Sequence, residues 1–204
     1  MLKFLGKLLG RDLTTPSEPI DTNVSEDEIW ETLHPNHKTD LFRNKKSLQA
    51  FLEFAMRQLS KTESQRLCRV AKRALSQGEN MLGALGEVVS GEEGQRRGQW
   101  AFIQLDYAAW DEIAWQASEI LKTYGVNLSW DGDCKANFSS TVEALSDLSH
   151  WLIDKGFALL HFETESDSYY SIIVKKSDLL VAKQLAAATQ LTLYEHAEFF
   201  HKNG

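Results

Sequence analysis

Six acids in the second half of the chain stand where chemistry could be done. Asp106, Asp131, Asp133, Glu163, Glu165 and Asp167 lie at the ends of apolar runs or in the polar segments that follow. Acids on loops that meet at one edge of a sheet can supply the oxygen ligands a hard divalent cation needs. Asp106, Asp131, Asp133 and Asp167 are therefore the candidate acidic or metal site. The DGD at 131–133 departs from a calcium loop of the EF-hand kind. Lys135 stands where a third acid belongs, and the turn glycine after it is missing. Solvated loop acids are the simpler reading.

The histidines make no metal pattern. His34 and His37 are separated by Pro35, which breaks the helix that would align them. His196 and His201 stand about 140° apart on a helix, so they share no face. His150 and His161 read as isolated surface or packed residues. Cys134, in a loop ahead of the segment carrying His150, is the only nucleophile candidate, and a base beside it cannot be read from sequence. Neither a G-x-G-x-x-G after a strand nor a G-x-x-x-x-G-K-[ST] loop occurs. No cofactor is expected.

Two further groups could bind rather than react. Five of the six tryptophans fall between Trp100 and Trp151. Core packing accounts for most of them, but Trp115 lies about 200° from Ile113, off its helix's apolar stripe. It either packs under the N-terminal helices or anchors an interface, and Tyr169 is the second interface candidate. The opening MLKFLGKLLGR puts Leu2, Phe4, Leu5, Leu8 and Leu9 on one arc of a helix, with Lys3, Lys7 and Arg11 on the other. It is too short to span a bilayer. Lys7 interrupts the apolar stretch, and no small-x-small site follows, so it is a poor export signal. The leucine face docks on the body, on a partner, or on a membrane surface.

The elements that position these residues follow from periodicity. Residues 12–24 hold two of the three prolines and read as a linker. Ser25 with Glu28 opens a short helix to about Leu33. Leu48, Phe51, Leu52, Ala55, Met56 and Leu59 keep helical spacing, as do Leu67, Val70, Ala71, Ala74 and Leu75 after a capping box at Thr62 and Gln65. Together they predict a helical hairpin. The basic residues Arg66, Arg69, Lys72 and Arg73 read as its solvated face. Six glycines between 78 and 98 predict a loop or hinge.

Beyond the glycines the pattern alternates. Strands are expected at 100–106, 126–130, 157–163, 169–175 and 191–195. Helices are expected at 111–124, at 140–155 after a Ser140/Glu143 capping box, and from Ser177 to about Thr189. The result is an α+β chain, with a C-terminal split-βαβ, ferredoxin-like mixed sheet extended by one β-α unit and preceded by the hairpin. The expected division is 1–24 as amphipathic segment and linker, 25–98 as a helical region ending in the hinge, and 99–204 as the α+β domain.

Over residues 100–193 the sequence resembles an uncharacterised bacterial domain-of-unknown-function family. The matching stretches are QLDYAAWDEIAWQ, YGVNLSWDGD and ESDSYYSIIV. The resemblance implies architecture and a bacterial origin, and it transfers no activity and no catalytic residue.

Composition bounds the rest. The 204 residues are 43% apolar and 25% charged, as in ordinary globular proteins. Residues 1–98 carry 15 Lys and Arg against 14 Asp and Glu, and residues 99–204 carry 7 against 15. A C-terminal half at −8 repels phosphate backbones, so nucleic acid is not expected as a partner. Two distant cysteines make no disulfide framework, which points to the cytoplasm, or to the inner face of a membrane if the first eleven residues bind there. The expected function is a non-catalytic binding or regulatory protein that works through protein contacts. The alternatives are a hydrolase or divalent-metal enzyme using the acidic loops, and a peripheral membrane protein held by residues 1–11.

Overall fold

The computed structural model describes residues 37–131, 138–164 and 166–203. The expected helix at 25–33, the linker, the N-terminal leucine face and the Asp133–Cys134 loop lie outside the described residues. Asp40–Gly204 form one compact unit. Its elements are α1 (His37–Ala55), α2 (Lys61–Ser76), α3 (Met81–Val89), β1 (Phe102–Asp106), α4 (Ile113–Thr123), α5 (Thr141–Asp154), β2 (Phe157–Phe162), β3 (Ser168–Lys175), α6 (Leu179–Ala188), β4 (Leu193–Glu195) and α7 (His196–Asn203). The chain is α+β, as the sequence pattern predicts.

The helices begin where side chains satisfy their free N–H groups. Ser140 caps α5 as expected, accepting from the Glu143 N–H at 3.2 Å. The α2 cap sits two residues earlier than predicted: Ser60 accepts from the Glu63 N–H. Glu63 does not reach back to complete a box, because Arg66 takes its carboxylate. Ser177 does not cap α6, which starts at Leu179 with no side-chain cap.

The glycine-rich stretch contains helix α3 where a loop or hinge was expected. Asn80 caps it, accepting from the Gly83 N–H at 2.7 Å, and Ala84, Leu85, Val88 and Val89 are buried. Burial of that apolar stripe outweighs the cost of two interior glycines, about 1 kcal/mol each. The Arg66 guanidinium donates to the carbonyls of Glu93 and Gly94, and Arg73 pairs with Glu93 at 2.8 Å. Part of the expected solvated basic face thus holds the following turn in place.

The sheet has four strands in the order β1-β3-β2-β4, and every pairing is antiparallel. This corrects the expected five-stranded mixed sheet. Residues 126–130 carry no strand among the described residues, and the free edge of β1 has no vacancy for one. Gln95 accepts from the Ala101 and Phe102 N–H groups and donates to the Phe102 carbonyl. Two residues on, Gln116 of α4 accepts from the Gln104 N–H and donates to its carbonyl, both at 2.8 Å. The two amides stand in for a neighbouring strand and close an edge that would otherwise invite pairing.

Alternation along the strands separates two apolar layers. Phe102, Leu160, Phe162, Ile172 and Val174 face α1, α2, α3 and α6, with Phe51 meeting Phe162 edge-on at 5.8 Å. Ile103, Leu105, Phe157, Leu159 and Ile173 face α4, α5, Trp130 and Phe199. Helices cover both faces. Within Asp40–Gly204, the hairpin helices and the sheet share one core.

Candidate functional site

Two of the acids named from sequence lie near one another: Asp106 is paired with Ser168, the residue after Asp167. Asp106 ends β1, where its carboxylate accepts from the Ser168 hydroxyl at 3.3 Å. Asp167 lies in the β2–β3 turn beside Glu163, on a small polar pocket that Tyr169 also lines. Glu163 is engaged by Lys202 and by the Tyr194 hydroxyl. Asp131 is exposed, and Asp133 and Glu165 lie outside the described residues. Among the described residues no group of three His, Cys, Asp or Glu is arranged to hold a metal ion. Trp115 packs on Trp100 at 5.1 Å with the Arg97 guanidinium over its ring, and Tyr169 meets Phe199 edge-on. Cys68 is buried, and burial first of all pushes its thiol up to about 11, away from nucleophilic use.

The histidines read as isolated are in fact gathered. His161 of β2 is fully buried opposite Ser171 of β3, and its Nδ1 lies 2.8 Å from the Ser171 hydroxyl. Its Nε2 lies 3.1 Å from Nδ1 of His196, the first residue of α7. The imidazole is stacked on Phe199 at 4.0 Å. His150 of α5 completes the group, its ring 6.4 Å from that of His196. Burial, then the neighbouring His196, hold His161 well below the ordinary histidine range. Burial, then His150, push His196 down to about 4. Both rings are neutral at pH 7.

A serine beside a histidine suggests a nucleophile and its base. Here the serine cannot serve, because Ser171 and His161 are both wholly buried inside the sheet. The end of the relay is different. His196 Nε2 is itself buried and has no hydrogen-bond partner among the described residues, while the His196 residue lines a cleft of about 460 Å³. Ser149, His150 and Ile153 of α5 form one wall, and Ala197 and Phe200 of α7 the other. Ala158, Leu159, Leu179 and Glu195 line it as well. Ile153 and Phe200 remain 43% and 45% exposed.

The cleft exists because β4 is short. Its last residue, Glu195, pairs with Leu160, and the chain then turns into α7 at His196. The Glu163 N–H donates to Thr192 on the β4 side of β2. By alternation His161 and Leu159 turn toward the same edge, and Leu159 lies past the end of β4. Its N–H therefore lies on the β4 side of β2, where Leu159 lines the cleft.

The family model described as Domain of unknown function (DUF6630) matches residues 91–196, just over half of the 204. The chain belongs to this family. The match takes in His150, His161, Ser171 and His196. No curated protein and no solved structure matches the chain.

Proposed function

We propose that this chain is a non-catalytic binding protein that takes an extended segment of a partner protein into the cleft between α5 and α7. One observation carries the reading: an apolar cleft opens on a stretch of β2 edge that β4 leaves uncovered at Leu159. Strand edges recognise extended peptides through their main chain, while flanking apolar walls select side chains. The volume is in the range of specific ligand sites. Ile153 and Phe200 supply apolar walls that solvent already reaches. Chemistry is not the better reading, because the serine–histidine pair is beyond a substrate's reach and Cys68 is buried.

The test uses a displayed library of random linear peptides selected against the full chain. Selected peptides should lose at least tenfold in affinity for the Ile153→Asp variant and shift the Leu159 amide resonance. Ile153 is on the surface, so this variant should keep its fold, which its amide spectrum would verify. Peptides that bind parent and variant equally would move the binding surface elsewhere.

A further inference from the structure

The β2–β3 turn carries a second pocket, which shares no residue with the cleft between α5 and α7. Thr164 donates its hydroxyl to the Ser168 carbonyl at 2.7 Å, and the Ser166 hydroxyl accepts from the Ser168 N–H at 3.3 Å. The Ser168 hydroxyl in turn donates to Asp106. These bonds hold the turn in one shape. The pocket beside it has a volume of about 230 Å³, and Glu163, Asp167, Tyr169 and Tyr194 line it. Both tyrosines are half-buried, and Asp167 is exposed.

An ammonium group already engages two of these residues. Lys202 of α7 pairs with the Glu163 carboxylate, and its Nζ stands 5.1 Å from the centre of the Tyr194 ring and 3.3 Å from the Tyr194 hydroxyl. A carboxylate beside an aromatic face is an arrangement that attracts organic cations. Asp167 makes no ion pair among the described residues, so two carboxylates stand on the pocket against one ammonium. Burial, then the Asp167 charge, push the Tyr169 hydroxyl above its ordinary pKa, and it stays protonated beside that carboxylate. The two carboxylates repel an anion, and among the described residues no group of three ligands is arranged to hold a metal ion. From this arrangement we infer that the pocket binds a small organic ammonium, with Asp167 as its counter-ion and the Tyr169 and Tyr194 side chains lining its seat. Lys202 is the internal counterpart of that ligand, and its charge opposes the ligand's. The volume admits an ammonium on a short alkyl arm. A free amine and a lysine side chain both supply such a group.

The full chain is titrated with n-butylammonium, Nα-acetyl-lysine N-methylamide and n-butanol, followed at the Asp167, Tyr169 and Tyr194 amide resonances. Both ammonium probes should bind about tenfold tighter than butanol, which has the same length and no charge. Asp167→Asn is an exposed change that should keep the fold, and it should weaken both probes about fivefold. Lys202→Gln removes the internal ammonium and should tighten them about threefold. Lys176→Gln, past the other end of β3, removes the same charge and should leave binding unchanged. Tighter binding of butylammonium assigns a free amine, tighter binding of the lysine amide assigns a lysine side chain, and either supports the inference. It is overturned if the probes leave these resonances unshifted, or if butanol binds as well as the ammonium probes. No loss in Asp167→Asn, or the same change in Lys202→Gln as in Lys176→Gln, would overturn it too. None of these outcomes bears on the cleft between α5 and α7.

Discussion

Lowering the pH from 7.5 to 5.0 should cost the folded chain about 3 kcal/mol, most of it through His161 and His196. In the unfolded chain each has its ordinary pKa of about 6.5, so at pH 5 each gains about 2 kcal/mol by taking up a proton. The folded chain keeps His161 neutral, because the ring is wholly buried against Phe199 and its two nitrogens already bond Ser171 and His196. It forgoes nearly all of that gain. His196, with a folded value of about 4, would forgo nearly as much. It is only half-buried, and solvent screening reduces its share to about 1 kcal/mol. Both folded values are depressed, so stability is full above about pH 6.5 and falls as the pH drops toward 4. The carboxyls of Glu63, Glu119 and Glu143 are also held below their usual range by their partners. They lose stability mainly below about pH 4.5 and leave this window to the histidines. Urea unfolding at the two pH values reads the effect as a midpoint shift of about 1.5 M, for a slope of about 2 kcal/mol per M. The double variant His161→Phe/Ser171→Ala removes both partners of the buried hydrogen bond and should retain only about 1 kcal/mol of the pH dependence. A parent shift worth less than about 1 kcal/mol, or an equal shift in the double variant, would refute the reasoning.

Three further outcomes are expected. Gln116→Leu strips the Gln104 N–H and carbonyl of their partners and should cost about 2–4 kcal/mol in urea unfolding, against the ±0.5 kcal/mol of a neutral change. A fragment of residues 100–204 lacks Phe51, Leu52, Leu67 and Leu85, which pack in the same core as Phe102, Leu160 and Phe162. It should show no cooperative melting by circular dichroism, and a sharp transition would instead support a division of the chain near residue 98. If residues 1–11 bind a membrane surface, full-length protein should float with anionic vesicles, with each of Lys3, Lys7 and Arg11 contributing about 1 kcal/mol. That flotation should be lost in high salt and in Leu5→Glu, and equal flotation of a chain lacking residues 1–11 would exclude the segment. Among the described residues no helix is long and apolar enough to cross a membrane.

Local chemistry determined much of this protein. The stripes Leu48–Leu59 and Leu67–Leu75 became α1 with the turn after it, and α2, because a 3.6-residue apolar period has one way to bury itself. Ser140 became a cap because its hydroxyl reaches an N–H three residues on whatever the fold does. Even the Ser171–His161 pair was within reach. Strands ending at 163 and resuming at 169 set 161 opposite 171 by counting back two residues from a closing pair of 163 and 169.

What the sequence could not decide depends on partners distant along the chain. Six glycines between 78 and 98 argue for a loop until α2 and the sheet supply something for Ala84, Leu85 and Val88 to bury against. The apolar–polar alternation at 126–130 argues for a strand until Gln95 and Gln116 are found closing the β1 edge. His196 is 35 residues from His161, and nothing local says that a three-residue β4 will end just where it brings the two rings within hydrogen-bonding distance. Among the described residues the acids form no group of three that could hold a metal ion, while the histidines set aside, His150, His161 and His196, came together. Residue type limits what each group can do, but only the packing of β2, β4, α5 and α7 decided which groups meet and which of them line a cleft.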